Sequence, residues 1–193
     1  MVLPEPFTTA SPFVVSVASS DILTGLGYEP FYFMVSNHGG AGQQFVLTPS
    51  SDFFSWEKEK TESTTITRTF TSSTFNIPRT IKGDAICNIG LAATATGSNE
   101  TVAVQLFKWD GTSATAITSQ ITVPVVTGVA MLYTNMPCTE TLIAEGEMVR
   151  MVVVFTIDGG GESITWGHDP AGRAGALVAT TSSRINIPFK FDG

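Results

Sequence analysis

Apolar residues alternate with polar ones through most of this 193-residue chain and hardly anywhere recur at helical spacing. Alternation sends successive side chains to opposite faces, so it predicts half-buried strands. The clearest case is "RINIPFKFDG" at 184–193, where Ile185, Ile187, Phe189 and Phe191 share one parity and Arg184, Asn186 and Lys190 take the other. "PFVVSV" near 12–17, "QQFVLT" and "VTGVAMLYTNM" read as further strands, and Phe31, Phe33 and Val35 fall on one side of another. In "TTITRTFTSSTFNIP", Ile66 and Phe70 face one way between threonines; in "DAICNIGLAATAT", Cys87, Ile89 and Leu91 do so. "TVAVQLFKWDG" runs through Asp110-Gly111 into "TSATAITSQITV", where Ile117, Ile121 and Val123 share a parity. That Asp-Gly step between alternating runs predicts a tight hairpin. "GEMVRMVVVFTID" is apolar at both parities, which predicts a central strand covered on both faces.

Roughly ten short strands punctuated by Gly, Pro and Asp-Gly predict an all-β fold, an antiparallel β-sandwich of jelly-roll type. The prolines at 4, 6 and 12 predict an extended N-terminal arm over residues 1–13, with Pro4, Pro6, Phe7, Pro12 and Phe13 as candidate interface residues. Residues 14–193 then form the sandwich. Residues 14–60 would make a small subdomain, joined through a Thr/Ser-rich connection at 61–74. Pro78 and Pro188 both follow Asn-Ile. A proline cannot donate to a ladder, so both strands are expected at sheet edges. The shared tripeptide fits neighbouring strands in one sheet, or simple coincidence.

Composition narrows the function. Only 14% of residues are charged and the net charge is −7, with the ten basic residues scattered. Nucleic acid would require clustered Lys and Arg, so it is not an expected partner. The one dense charge run, "WEKEKTE" at 56–62, alternates in sign and reads as a solvated loop or helix face. No segment approaches 18 continuous apolar residues, and the first residues lack a basic, apolar leader. The expectation is therefore no membrane partner and assembly in a cytoplasm. Cys87 and Cys138 show no CxxC spacing, and free buried thiols are the simplest reading.

Candidate chemistry is sparse. His38 lies in "SNHGGAGQQ" and His168 in "TWGHDPAGR", too few for a zinc set by spacing. "HGGAG" has the look of an esterase oxyanion loop, but no G-x-S-x-G elbow accompanies it. It also lacks the Gly-Lys-Ser/Thr ending of a phosphate loop. "DGGGE" offers Asp158 and Glu162 to calcium without the repeated carboxylates of an EF-hand, and a flexible hairpin is the simpler reading. In "GHDPAGR", Asp169-Pro170 starts a turn, and Arg173 is placed to return to Asp169. Trp109, Asp110, Trp166, His168, Asp169 and Arg173 are the candidate loop-contact or glycan-stacking residues. No cofactor or metal is called for, and the chain reads as no enzyme.

Several of these strings together resemble small virion structural proteins of tailed bacteriophages: "PEPFTT" at 4–9, "TGLGYEPFYF" at 24–33, "FNIPRTIKGDAICNI" at 75–89, "GEMVRM" at 146–151, and "HDPAGR" followed by "IPFKFD". The resemblance implies a β-sandwich located in the virion, a capsid decoration or head-surface protein. Its partners would be the major capsid protein or other virion proteins, and it would form a homo-oligomer, a trimer by preference. A tail, neck or fibre-base component is the alternative within that class, and a carbohydrate-binding adhesion module the alternative outside it.

Overall fold

The computed structural model describes residues 26–36, 43–53, 55–94, 100–158, 161–172 and 182–190. The expected arm over 1–13, the strand near 12–17, His38 and Arg173 lie outside them. Among the described residues the fold is all-β, with twelve strands and no helix. In chain order they are β1 (Leu26–Ser36), β2 (Gln44–Thr48), β3 (Glu59–Glu62), β4 (Ile66–Ser72), β5 (Arg79–Ala93) and β6 (Thr101–Trp109). They continue as β7 (Ala114–Ala116), β8 (Ile121–Pro124), β9 (Gly128–Ile143), β10 (Met148–Thr156), β11 (Ile164–Gly167) and β12 (Arg184–Lys190).

Pairing runs β3-β11-β5-β12-β1-β2-β4-β10-β6-β7, with β8 beside β6 and β9 beside β5. Every pair is antiparallel except β2 with β4, which meet in parallel over only two residue pairs. That brief junction is where the sheet folds over. On a flat sheet, β11 and β10 would lie six strands apart, about 29 Å at the usual ~4.8 Å per strand. Yet the Trp166 ring on β11 sits 5.2 Å from Phe155 on β10, and 5.6 Å from Phe70 on β4. Phe33 of β1 stacks on Phe70 at 4.7 Å. The β9–β5–β12–β1–β2 half therefore faces the β4–β10–β6 half across one core, which makes a β-sandwich.

The alternating runs fill that core. Phe31, Phe33 and Val35 of β1, Cys87, Ile89 and Leu91 of β5, and Ile185, Ile187 and Phe189 of β12 are all buried. The Asp110-Gly111 hairpin is present, joining β6 to β7 with Trp109 opposite Ala114. Gly111 takes φ +97°, a conformation open to glycine and costly for other residues.

Three expectations change. First, β12 is no edge: it lies between β5 and β1. Its ladder with β1 runs on past Pro188, opposite Tyr28, while its register with β5 shifts between Asn186 and Phe189. The proline's missing donor is absorbed by a bulge on one side of the strand. Nor is β5 an edge: it opens directly after Pro78 and pairs with β9 on one side and with β11 and β12 on the other, so the strand that follows the first Asn-Ile-Pro and the strand that contains the second are neighbours in the sheet. Second, β10 is central but not covered on both faces. Val149, Met151, Val153 and Phe155 are fully buried, whereas Arg150, Val152 and Val154 are half-buried. Third, the charge run at 56–62 ends in strand β3. There the Glu62 carboxylate is buried and takes Arg68 Nε at 2.8 Å and Nη2 at 2.6 Å.

Candidate functional site

The expected contact residues do not converge. Trp109 ends β6, and the Arg150 guanidinium lies 3.4 Å over its ring. Asp110 caps the hairpin turn, its Oδ1 accepting the Thr112 and Ser113 N–H groups at 2.7 Å each. Those two bonds, Ser113's first, hold its carboxyl below the usual range. Trp166, His168 and Asp169 are buried at 0, 0 and 3% exposure. The Trp166 ring is clasped by Phe70, Phe155 and His168 and offers no face to a sugar. Trp109 pairs with Met148 while Trp166 meets Phe155, so about seven residues of β10, roughly 23 Å, separate them. They are not one stacking platform. The arm residues Pro4, Pro6, Phe7, Pro12 and Phe13, and Arg173, lie outside the described residues.

Inside the molecule, three residues of hydrolytic type do meet. Ser55 Oγ lies 3.1 Å from His168 Nδ1, and the Ser55 N–H donates to Asp169 Oδ1 at 3.0 Å. The wiring differs from a catalytic triad, in which a carboxylate orients the imidazole nitrogen that faces away from the serine. Here that nitrogen, Nε2, is buried without a hydrogen-bond partner. Ser55 Oγ is already engaged with strand β1, accepting the Val35 N–H at 2.8 Å and donating to its carbonyl at 3.1 Å. The His168 N–H reaches the Lys58 carbonyl at 3.1 Å. The cluster therefore braces the loop before β3 and the exit of β11 onto β1. Burial lowers the His168 pKa to about 4, so the imidazole is neutral at pH 7. The sequence singled out His168 and Asp169 but carried no signal for Ser55, more than a hundred residues earlier.

Two surface features remain. A cleft of ≈ 250 Å³ opens between β1 and the β4–β5 connection, lined by Phe31, Phe75, Asn76, Ile77, Glu29 and Arg79 among others. Arg79 is ion-paired with Glu29 and lies 4.0 Å over the Phe189 ring. Phe31, Phe75 and Phe189 form a triangle with centroids 5.8–6.4 Å apart beneath it. This is an apolar floor beside one fixed ion pair.

The second feature is strand β9. It pairs with β5 along its length. Among the described residues, its other edge is met only near Cys138, through the Thr118 bridge and the Thr139 N–H to the Ile117 carbonyl. Val129, Tyr133 and Leu142 on β9, with Val126 just before it, are 54–61% exposed. No charged residue occurs from Gly128 to Thr139. Sequence reasoning expected β10, apolar at both parities, to be covered on both faces and singled out no exposed apolar strand; the structure places the exposed apolar side chains on β9. Alternation signals two faces but does not say which one the second half of the sandwich covers.

No family model and no curated protein matches the sequence. Solved structures do match the fold. An α-amino acid ester hydrolase aligns over 84% of this chain at 10% identity and a TM-score of 0.59. A CocE/NonD family hydrolase from Staphylococcus aureus aligns over 86% at 11% identity and a TM-score of 0.54. The chain spans 36% and 37% of those two proteins, so the likeness is to a part of each. The expectation that the chain is no enzyme is corrected by these matches. It rested on an all-β pattern without a sequence motif, and hydrolases contain this same sandwich.

Proposed function

We propose that the chain is a structural module of a tailed-phage particle, seated on the particle's shell protein through β9. The observation that carries the proposal is the strand's exposed apolar row on an uncharged edge. Solvent-facing edges are normally blunted with charge, proline or a bulge, because unpaired N–H and C=O groups template further pairing. Over Gly128–Asn135 this strand has none of these devices. A contiguous apolar patch of this kind is typical of interaction surfaces. The resemblance of the sequence to virion structural proteins supplies the partner. Val129→Lys and Tyr133→Lys put charge on exposed positions, so the sandwich should fold unchanged. Loss of both variants from purified particles that retain the wild-type protein supports the proposal; incorporation at the wild-type level overturns it.

The fold likeness favours a second reading, that the chain supplies the β-sandwich portion of a hydrolase acting on amino acid esters. Release of p-nitrophenol from amino acid p-nitrophenyl esters above a heat-denatured control supports that reading. Assayed on the chain purified from its native cells together with whatever it is joined to, a rate equal to the control removes it.

A further inference from the structure

The cleft beside the β4–β5 connection carries two charged side chains in its wall. Glu29 shares the parity of the buried Phe31 and Phe33 on β1, and Arg79 shares that of the buried Ile81 on β5. Alternation therefore sends both toward the core side of their strands, where apolar residues are the rule. They pair with each other, and each side chain stays about one-third exposed. Among the described residues, each has the other as its only ion-pair partner. The Arg79 guanidinium lies 4.0 Å over the Phe189 ring, which occupies one of its flat faces and not its edges. A guanidinium has five N–H donors and a carboxylate has two acceptor oxygens, so the joined pair keeps hydrogen-bonding capacity for a ligand.

Beside the ion pair the wall is apolar. Phe31 and Phe75 line the cleft with their ring centroids 6.3 Å apart. Phe75 is fixed through its backbone: its N–H donates to the Glu147 carbonyl at 2.9 Å, and its carbonyl accepts the Gly146 N–H at 2.8 Å. Ile77, which also lines the cleft, is 71% exposed, and covering it would remove apolar surface from water. The volume of ≈ 250 Å³ is below the roughly 300–1,000 Å³ of sites for drug-sized ligands, so the occupant is small.

We propose that this cleft binds a free α-amino acid whose side chain is apolar and of leucine or phenylalanine size. The charges of Glu29 and Arg79 cancel. A lone carboxylate or a lone ammonium would meet a like charge next to its partner. A zwitterion satisfies both, with its carboxylate on Arg79 and its ammonium on Glu29, while its side chain covers Phe31, Phe75 and Ile77. The site rests on neither functional reading above.

The test titrates the full chain with L-phenylalanine and L-leucine by calorimetry. N-acetyl-L-phenylalanine, which lacks the ammonium, and L-phenylalaninamide, which lacks the carboxylate, are titrated beside them. The expected result is saturable binding of one free amino acid per chain, weakened about tenfold or more in both blocked forms. Glu29→Gln should weaken free phenylalanine to a similar extent and strengthen the acetylated form, which then meets Arg79 without a like charge beside it. Should that variant not fold, the ligand series on the wild type decides alone. A wild type that shows no saturable binding of either amino acid at millimolar concentration overturns the proposal. So does equal binding of the blocked forms, or binding of free phenylalanine that survives Glu29→Gln at wild-type strength.

Discussion

Acidification should unfold this protein partly through one histidine. His168 is fully buried beside Trp166 at 4.8 Å, with Ser55 Oγ on Nδ1 and nothing on Nε2. Desolvation holds its folded-state pKa at about 4, against an ordinary 6.5 in the unfolded chain. Above pH 6.5 both states are neutral and the stability is fully present. Between 6.5 and 4 only the unfolded chain takes up the proton, so stability falls as pH falls; below 4 both states are protonated and the loss is complete. The full span is about 3.4 kcal/mol at ~1.36 kcal/mol per pKa unit, of which about 2.5 is lost by pH 4.5. Urea unfolding at pH 7.5 and 4.5, for wild type and for His168→Gln, isolates the contribution, since the carboxylates titrate in both proteins. The wild type should lose about 2.5 kcal/mol more than the variant over that range. Equal losses, or an NMR titration placing His168 near 6.5, would refute the reasoning.

Three further outcomes are expected. Phe189→Ala, at 1% exposure and in contact with Phe31 and Phe75, should destabilise by about 3–5 kcal/mol in chemical denaturation. A negligible change would place the β12 side chains outside the core. Glu62→Ala strands the Arg68 guanidinium, whose side chain is 16% exposed, and should cost about 3 kcal/mol; a double variant with Arg68→Ala should recover part of that loss. The Cys87 thiol, fully buried with its pKa raised by desolvation, should resist a thiol reagent at pH 8 until denaturant is added, and Cys138, partly buried, should react first.

Local patterns were legible because they depend on neighbours in sequence. The parity of Cys87, Ile89 and Leu91, and of Ile185, Ile187 and Phe189, reports which face is buried wherever the strand lies. The Asp110-Gly111 turn closes its hairpin within a few residues. What depends on distant partners was not legible. Pro188 suggested an edge, but β12 is drawn between β1 and β5, about a hundred residues from the latter, and a bulge absorbs the lost donor. The charge run hid β3 because Arg68, in the next strand, neutralises the one glutamate that turns inward. Ser55 became visible only once folding set it against His168, and the Glu29–Arg79 pair only once β1 and β5 lay on either side of β12.

Residues 26–60, expected to stand apart as part of a subdomain, are wired into the common sheet through β1, β2 and β3. The wide connection between fold and function runs through surface features. Among the described residues, the sandwich leaves β9 with one paired edge and one largely open edge, and Val129, Tyr133 and Leu142 on it remain in solvent.

Quantitative mass spectrometry of phage particles purified from cells that carry this gene is the measurement closest to the main proposal. The account predicts the chain in the particles at a fixed ratio to the shell protein, with Tyr133→Lys depleted from them. Particles free of the chain, with all of it left in the soluble lysate, would contradict it.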